Sequence, residues 1–107
     1  MKRGDLIITS LPGDYGKPRP ALMIQSDLFA ETESLTVLPL TSMLVTTPLG
    51  RVTVDPDPQN GLRARSQVMI DKLMTIRRDK VGPVIGSLDT TTMLEVNRLL
   101  ALFLGLG

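Results

Sequence analysis

The sequence contains no histidine, no cysteine and no tryptophan, and its only aromatic residues are one tyrosine and two phenylalanines. Without cysteine there is no disulfide and no thiolate to bind a metal, which suits a reducing compartment. Without histidine, the commonest zinc ligand and the usual proton carrier near neutral pH are both missing. Any catalysis must run on Arg, Lys, Asp, Glu, Tyr, Thr or Ser. Tyr15, Phe29 and Phe103 are few platforms for stacking nucleic-acid bases. No apolar run reaches the roughly 20 residues of a membrane span. Leu6-Ile-Ile8 is far too short for a signal peptide. The expectation is a soluble cytoplasmic protein with no membrane partner.

What is present points to one small domain over residues 1–107. Its 42% hydrophobic content is enough to bury a core without covalent staples. A chain of this length buries about 60–70% of its unfolded surface. The net charge of +1 excludes a global polycation, so a reader of nucleic acid would need a local basic patch.

The pattern along the chain is mainly β. Leu6 to Leu11 reads as a strand closed by Pro12-Gly13, followed by a polar loop to Pro18 that holds Asp14, Tyr15, Gly16 and Lys17. Arg19 to Gln25 is a second strand, with Pro20 tolerated near its start. Ser26 to Ser34 is a polar connection, and Leu35 to Leu40 a third strand. Gly50 to Asp55 alternates apolar and polar residues, as a half-exposed strand does. Pro56 to Gly61 is a loop, Ser66 to Ile70 a strand, Arg77 to Lys80 a basic turn, and Val81 to Ile85 a short strand. The chain ends in a helix capped by Ser87 or Asp89. Met93, Val96, Leu100, Phe103 and Leu104 are its predicted inner face, and Glu95 and Arg98 its outer one.

Arg63, Arg65, Lys72, Arg77, Arg78 and Lys80 crowd into 18 residues. They form either a local positive patch for a polyanion or a set of solvated turn and strand-end charges. Arg19 enters a strand behind a proline, where its fork of donors suits a phosphate or a surface carboxylate. Thr41 and Ser42 can donate to a phosphate oxygen or cap a turn. Asp71 can take a proton from a ribose 2′-OH or pair with an arginine. Tyr15 is a stacking candidate or an ordinary loop residue.

Taken together, Gly4-Asp5, Arg19-Pro-Ala-Leu22, Pro39-Leu-Thr-Ser42 and Val68-Met-Ile-Asp71-Lys72-Leu-Met-Thr-Ile76 run in an order that resembles the MazF/PemK (Kid) family of toxin endoribonucleases. The resemblance covers nearly the whole chain, including Gly86-Ser-Leu88 and the final helix. It implies a small SH3-like antiparallel barrel with a C-terminal helix, of the CcdB/PemK-like kind, acting as a homodimer. The implied activity is cleavage of single-stranded RNA at a short sequence without metal or cofactor, through a 2′,3′-cyclic phosphate. A cognate antitoxin neutralises it. By position, Arg19 would hold the phosphate and protonate the leaving oxygen, Thr41 would bond a phosphate oxygen, and Asp71 would be the base. Tyr15, Lys17, Ser42, Arg63, Arg65, Lys72 and Arg77 would contact RNA. Lys72 stands where the family has glutamine, Met74 where it has arginine before Thr-Ile, and Met69 where some relatives carry an arginine.

The same superfamily contains CcdB-type toxins, which bind DNA gyrase and cut nothing. Ile24-Gln-Ser-Asp27, Val37-Leu-Pro-Leu40 and Val84-Ile-Gly86 echo that group. Its gyrase-poisoning members end in Trp-Gly-Ile, whereas this chain ends Phe103-Leu-Gly-Leu-Gly107. The final helix also carries Leu94, Leu99, Leu100, Leu102 and Leu104, more apolar surface than one stripe needs, as at a dimer interface. The antitoxin is expected to be an acidic, partly disordered segment that folds across the basic groove.

Overall fold

The computed structural model describes residues 1–10, 17–47 and 49–106. Its strands are β1 (Asp5–Ser10), β2 (Pro18–Met23), β3 (Ser34–Thr41), β4 (Arg51–Val54), β5 (Ser66–Met69), β6 (Met74–Arg77) and β7 (Val81–Ser87), followed by helix α1 (Thr90–Leu104). All pairings are antiparallel, in the order β4-β5-β3-β2-β1-β7, with β6 also on β3. β3 is the hub because its two halves serve different neighbours along one edge. Ser34 to Val37 pairs with β6, while Leu40 and Thr41 pair with β5.

The antiparallel β architecture with a C-terminal helix is the one expected; the sheet runs from β4 to β7 and does not close. A loop fills the opening instead. The chain between β4 and β5 lies against β7, where the Ser87 N–H donates to the Gln59 carbonyl at 3.0 Å. β6 was also not legible as a strand, since Met74 to Arg77 adjoins a basic turn and is only 4 residues long. Its pairing partner on β3, not its own pattern, makes it a strand.

Both faces of the central strands are buried. Leu6, Leu22, Leu38, Leu40, Val68, Ile70, Val96 and Leu99 share one apolar cluster. Ile7, Ala21, Met23, Leu35, Val37 and Ile76 form a second. Successive strand residues point to opposite faces, so Leu6 and Ile7 can both be fully buried in different clusters. This is why β1 to β3 read as continuous apolar runs and not as alternating ones.

α1 packs on β4 and on the 3-10 turn Ile70–Lys72. Asp89, one of the two predicted caps, accepts from the Thr92 N–H at 2.7 Å, and that bond holds its carboxyl below the ordinary aspartate range. Glu95 and Arg98 pair at 2.7 Å on the outer face, as expected. The inner face differs at its end. Val96 and Leu99 are buried and Met93 and Leu100 half-buried, but Phe103 and Leu104 are 53% and 46% exposed. The helix overhangs its support there and closes at Gly105, whose φ of 73° suits a residue without a Cβ.

The loop between β4 and β5 is ordered by one buried amide. Asn60 is 2% exposed. Its Oδ1 accepts from the N–H groups of Asp57 (3.1 Å) and Leu62 (2.9 Å), and its Nδ2 donates to the Asp55 carbonyl (2.9 Å). Gly61, at φ 67°, follows and touches the Ile85 carbonyl so closely that a Cβ would stand 2.1 Å from its oxygen. Gly86 meets the same loop from the other side, with a Cβ position 2.3 Å from the Gln59 oxygen. Asn60→Ala would strand these backbone groups inside the fold and should lower stability by about 3 kcal/mol. Urea denaturation should show it as a lower midpoint with unchanged slope. A midpoint equal to the wild type would mean that glycine packing alone holds the loop.

Candidate active site

Arg19 and Thr41 come together through strand register. β2 and β3 pair Ala21 with Pro39, Leu22 with Leu38 and Met23 with Val37. That ladder ends at Ala21 and Pro39; two residues beyond it on each strand stand Arg19 and Thr41, and both line one cavity. Proline at 20 and at 39 removes donors near this end. The strands separate there and open a cavity of about 510 Å³. β2 contributes Pro18, Arg19 and Pro20 to its wall, the end of β3 contributes Leu40, Thr41 and Ser42, and the loop before β5 contributes Gly61 to Ala64. Ser66 and the β7 residues Pro83 and Ile85 complete the lining with Ile8.

The chemistry of this wall is one-sided. Arg19 and Arg63 are its cations, Thr41, Ser42 and Ser66 its hydroxyls, and no carboxylate is among its described lining residues. Such a surface favours an anion. The Thr41 hydroxyl oxygen accepts from the Met43 N–H at 3.1 Å. That contact uses a lone pair and leaves the hydroxyl proton to be donated elsewhere. Among the described residues no cluster of three or more acidic side chains could hold a metal ion.

Residues 2–104 match the family model described as PemK-like, MazF-like toxin of type II toxin-antitoxin system. The chain belongs to the PemK/MazF toxin family. It is 42% identical to a protein of Mycolicibacterium smegmatis named probable endoribonuclease MazF, over 100% of this chain and 99% of that one. Among solved structures, it is similar to the Mycobacterium tuberculosis toxin MazF-mt6, at 26% identity and a TM-score of 0.82, covering 96% of this chain and 98% of that one. It shares its fold with an endoribonuclease in complex with its cognate antitoxin from mycobacterial species, at 24% identity and a TM-score of 0.84, over 100% and 97% of the two chains. These relatives support the ribonuclease class and not the gyrase-binding alternative.

The remaining predicted site residues of this PemK/MazF chain are scattered. Lys17 is exposed just before β2, and Tyr15 lies outside the described residues. The six-residue basic patch is not one surface: only Arg63 lines the cavity. Arg65 pairs with Asp55 at 3.0 Å and faces a different cleft, with Arg51. Lys72 is exposed in the 70–72 turn. Arg77 pairs with Asp79 at 2.7 Å and sits opposite Ser34. Ser34 and Thr41 are the two ends of β3, so Arg77 is roughly 23 Å from the cavity at a strand rise of 3.3 Å per residue. Arg78 donates to the carbonyls of Ala30 and Thr32. Closeness in sequence failed here because β5 and then β6 carry the chain in one direction along β3, from Thr41 to Ser34.

Asp71 is exposed and makes no ion pair among the described residues, contrary to the pairing weighed from sequence. It is not part of the cavity wall. Gln67 faces Thr41, and β5 runs from it toward the opposite end of β3. β5 ends at Met69, and Asp71 stands beyond it in the 70–72 turn. Leu62, Ser66, Pro83 and Ile85 were not singled out in the sequence. The one local signal for their region is Asn60-Gly61, a turn dipeptide.

Arg63 and Arg77 therefore differ in a testable way. Arg63→Ala should weaken binding of a single-stranded polyanion and reduce the slope of log affinity against log salt by about 0.7. Arg77→Ala should leave both unchanged in the same titrations. Equal losses in the two variants would contradict the separation of the basic residues.

Proposed function

We propose that this chain is a cytoplasmic endoribonuclease toxin that cleaves single-stranded RNA at a short sequence without a metal ion. The carrying observation is the cavity in which Arg19, Arg63, Thr41 and Ser42 converge with no carboxylate among the described lining residues. A phosphodiester is the anion that suits forked and hydroxyl donors together. Family membership and the named ribonuclease relative support the same reading. Among the described residues no helix is long and apolar enough to cross a membrane.

In the proposed reaction the ribose 2′-OH attacks the adjacent phosphorus and gives its proton to solvent water, while the P–O5′ bond breaks and the 5′-oxygen leaves protonated, giving a 2′,3′-cyclic phosphate and a 5′-OH. Negative charge grows on the equatorial oxygens, and donors already in place stabilise it without reorganising. Arg19 holds that phosphate and supplies the proton for the leaving oxygen. Thr41 donates its free hydroxyl proton to a phosphate oxygen. Asp71 lies in the turn beyond β5 and is not part of the cavity wall that holds Arg19 and Thr41, so we place it outside the reaction.

The active form is a homodimer neutralised by an acidic antitoxin segment lying over the cationic cavity. Leu94 near the start of α1 and Leu102, Phe103, Leu104 and Leu106 at its end are all exposed, an apolar surface suited to a second copy. Sedimentation at micromolar concentration should give twice the 11.7 kDa chain mass. A monomer there would remove the dimer from the proposal.

Incubation with a long single-stranded RNA in excess EDTA, followed by mapping of the ends, tests the activity. Discrete cuts ending in 2′,3′-cyclic phosphate are expected. Arg19→Ala should slow them by about 10²–10³-fold. Asp71→Asn should cut at the wild-type rate, and a comparable loss there would restore Asp71 as the base. Intact RNA across varied templates would sink the ribonuclease reading.

A further inference from the structure

β3 stops pairing with β5 at Thr41, opposite Gln67. The chain turns away at Ser42, yet its next segment is not loose. Gln67 is 6% exposed, and its amide reaches out of the sheet to that segment. Its Oε1 accepts from the Val45 N–H at 3.0 Å, and its Nε2 donates to the Val45 carbonyl at 2.9 Å. One side chain thus gives Val45 the two bonds that a neighbouring strand would have given. The network is complete: Nε2 also donates to the Thr53 hydroxyl at 3.3 Å, and Oε1 also accepts from Arg51 at 3.5 Å. A buried primary amide with every bond made has one orientation, and it fixes what it holds.

The segment it holds is the one next to the cavity. Between the clamp at Val45 and the cavity wall at Thr41 and Ser42 lie only Met43 and Leu44. Met43 ties back to Thr41 through its N–H. The side chains of Met43, Leu44 and Val45 are 80%, 46% and 49% exposed, an apolar strip where soluble surfaces are usually polar. In a chain with so few aromatics, such a strip is a surface on which bases can lie.

We propose that Gln67 is a positioning residue. Its amide pins the connection between β3 and β4 so that Thr41 keeps its hydroxyl at the phosphate and Met43 to Val45 meet the bases flanking the cleaved bond. This rests on the ribonuclease reading above. It assigns Gln67 to placing Thr41 and to the choice of RNA sequence, without contact with the reacting atoms.

Amide hydrogen exchange and cleavage kinetics test it together. In the wild type, the Val45 amide should exchange slowly, like those of β5, while the Leu44 amide exchanges fast. Gln67→Met keeps the volume and removes the bonds. It should speed Val45 exchange by about tenfold or more, since losing the hydrogen bonds frees a local opening. The same variant should lower the ratio of kcat/KM between the mapped cut sequence and RNA with one flanking base changed, again by about tenfold. Gln67→Glu keeps the acceptor for the Val45 N–H but sets a carboxylate oxygen against the Val45 carbonyl, so it should lose protection and selectivity as Gln67→Met does; wild-type protection in it would overturn the donor half of the clamp. A Val45 amide that exchanges as fast as Leu44 in the wild type overturns the clamp, and this needs no variant to fold. Faster exchange in Gln67→Met with unaltered selectivity overturns the role in sequence choice. RNA left whole by the wild type, with Val45 protected, counts against the ribonuclease reading and leaves the clamp standing.

Discussion

The site depends on a contact between two stretches of backbone. The loop carrying Gln59 to Leu62 lies on β7 at distances that only glycine at 61 and at 86 allows. Asn60 holds that loop in shape from within. Without this contact the open edge between β4 and β7 would expose the ends of the core. With it, the loop continues as Arg63 and Ala64 and becomes the wall facing Arg19. A gap in the sheet is thus turned into a cavity, and the cavity receives a second cation.

The same economy governs β3. One strand pairs β2 along one edge and both β5 and β6 along the other. Its inner residues serve two apolar clusters, on opposite faces. Only its C-terminal end is free to serve function, and Thr41 and Ser42 stand there. Proline at 39 and at 20 cannot extend the ladder toward that end. The strands therefore part where a phosphate could enter. Gln67 then restrains the departing chain by imitating a strand partner with a side chain.

Much of the fold was legible. β-branched and leucine-rich runs marked β1, β2, β3, β5 and β7 within a few residues, and Asp89 marked the helix start. β6 was missed because a four-residue strand has too few positions to display a period. Phe103 was placed inside because helical spacing says which residues share a face, and says nothing of where the support beneath that face ends. That the sheet stays open was not legible, because no local pattern reports whether the first and last strands of a sheet meet.

The sequence by itself determined the class of chemistry and the family. Absent histidine and cysteine limited the reacting groups, and an Arg-Pro and a Pro-Leu-Thr-Ser in apolar strands marked the family. The tertiary structure alone decided which cations share the cavity. Arg63 and Arg77 lie in one short basic stretch, yet they end on opposite sides of the sheet because β5 and β6 pair with different halves of β3. It also decided that Asp71 stands apart from Arg19 and that Gln67 binds Val45 across 22 positions of chain. Register and strand rise extend local pattern into space over a few residues. Charges and amides brought together across loops depend on how those loops fold back, and that is fixed by close packing of distant backbone.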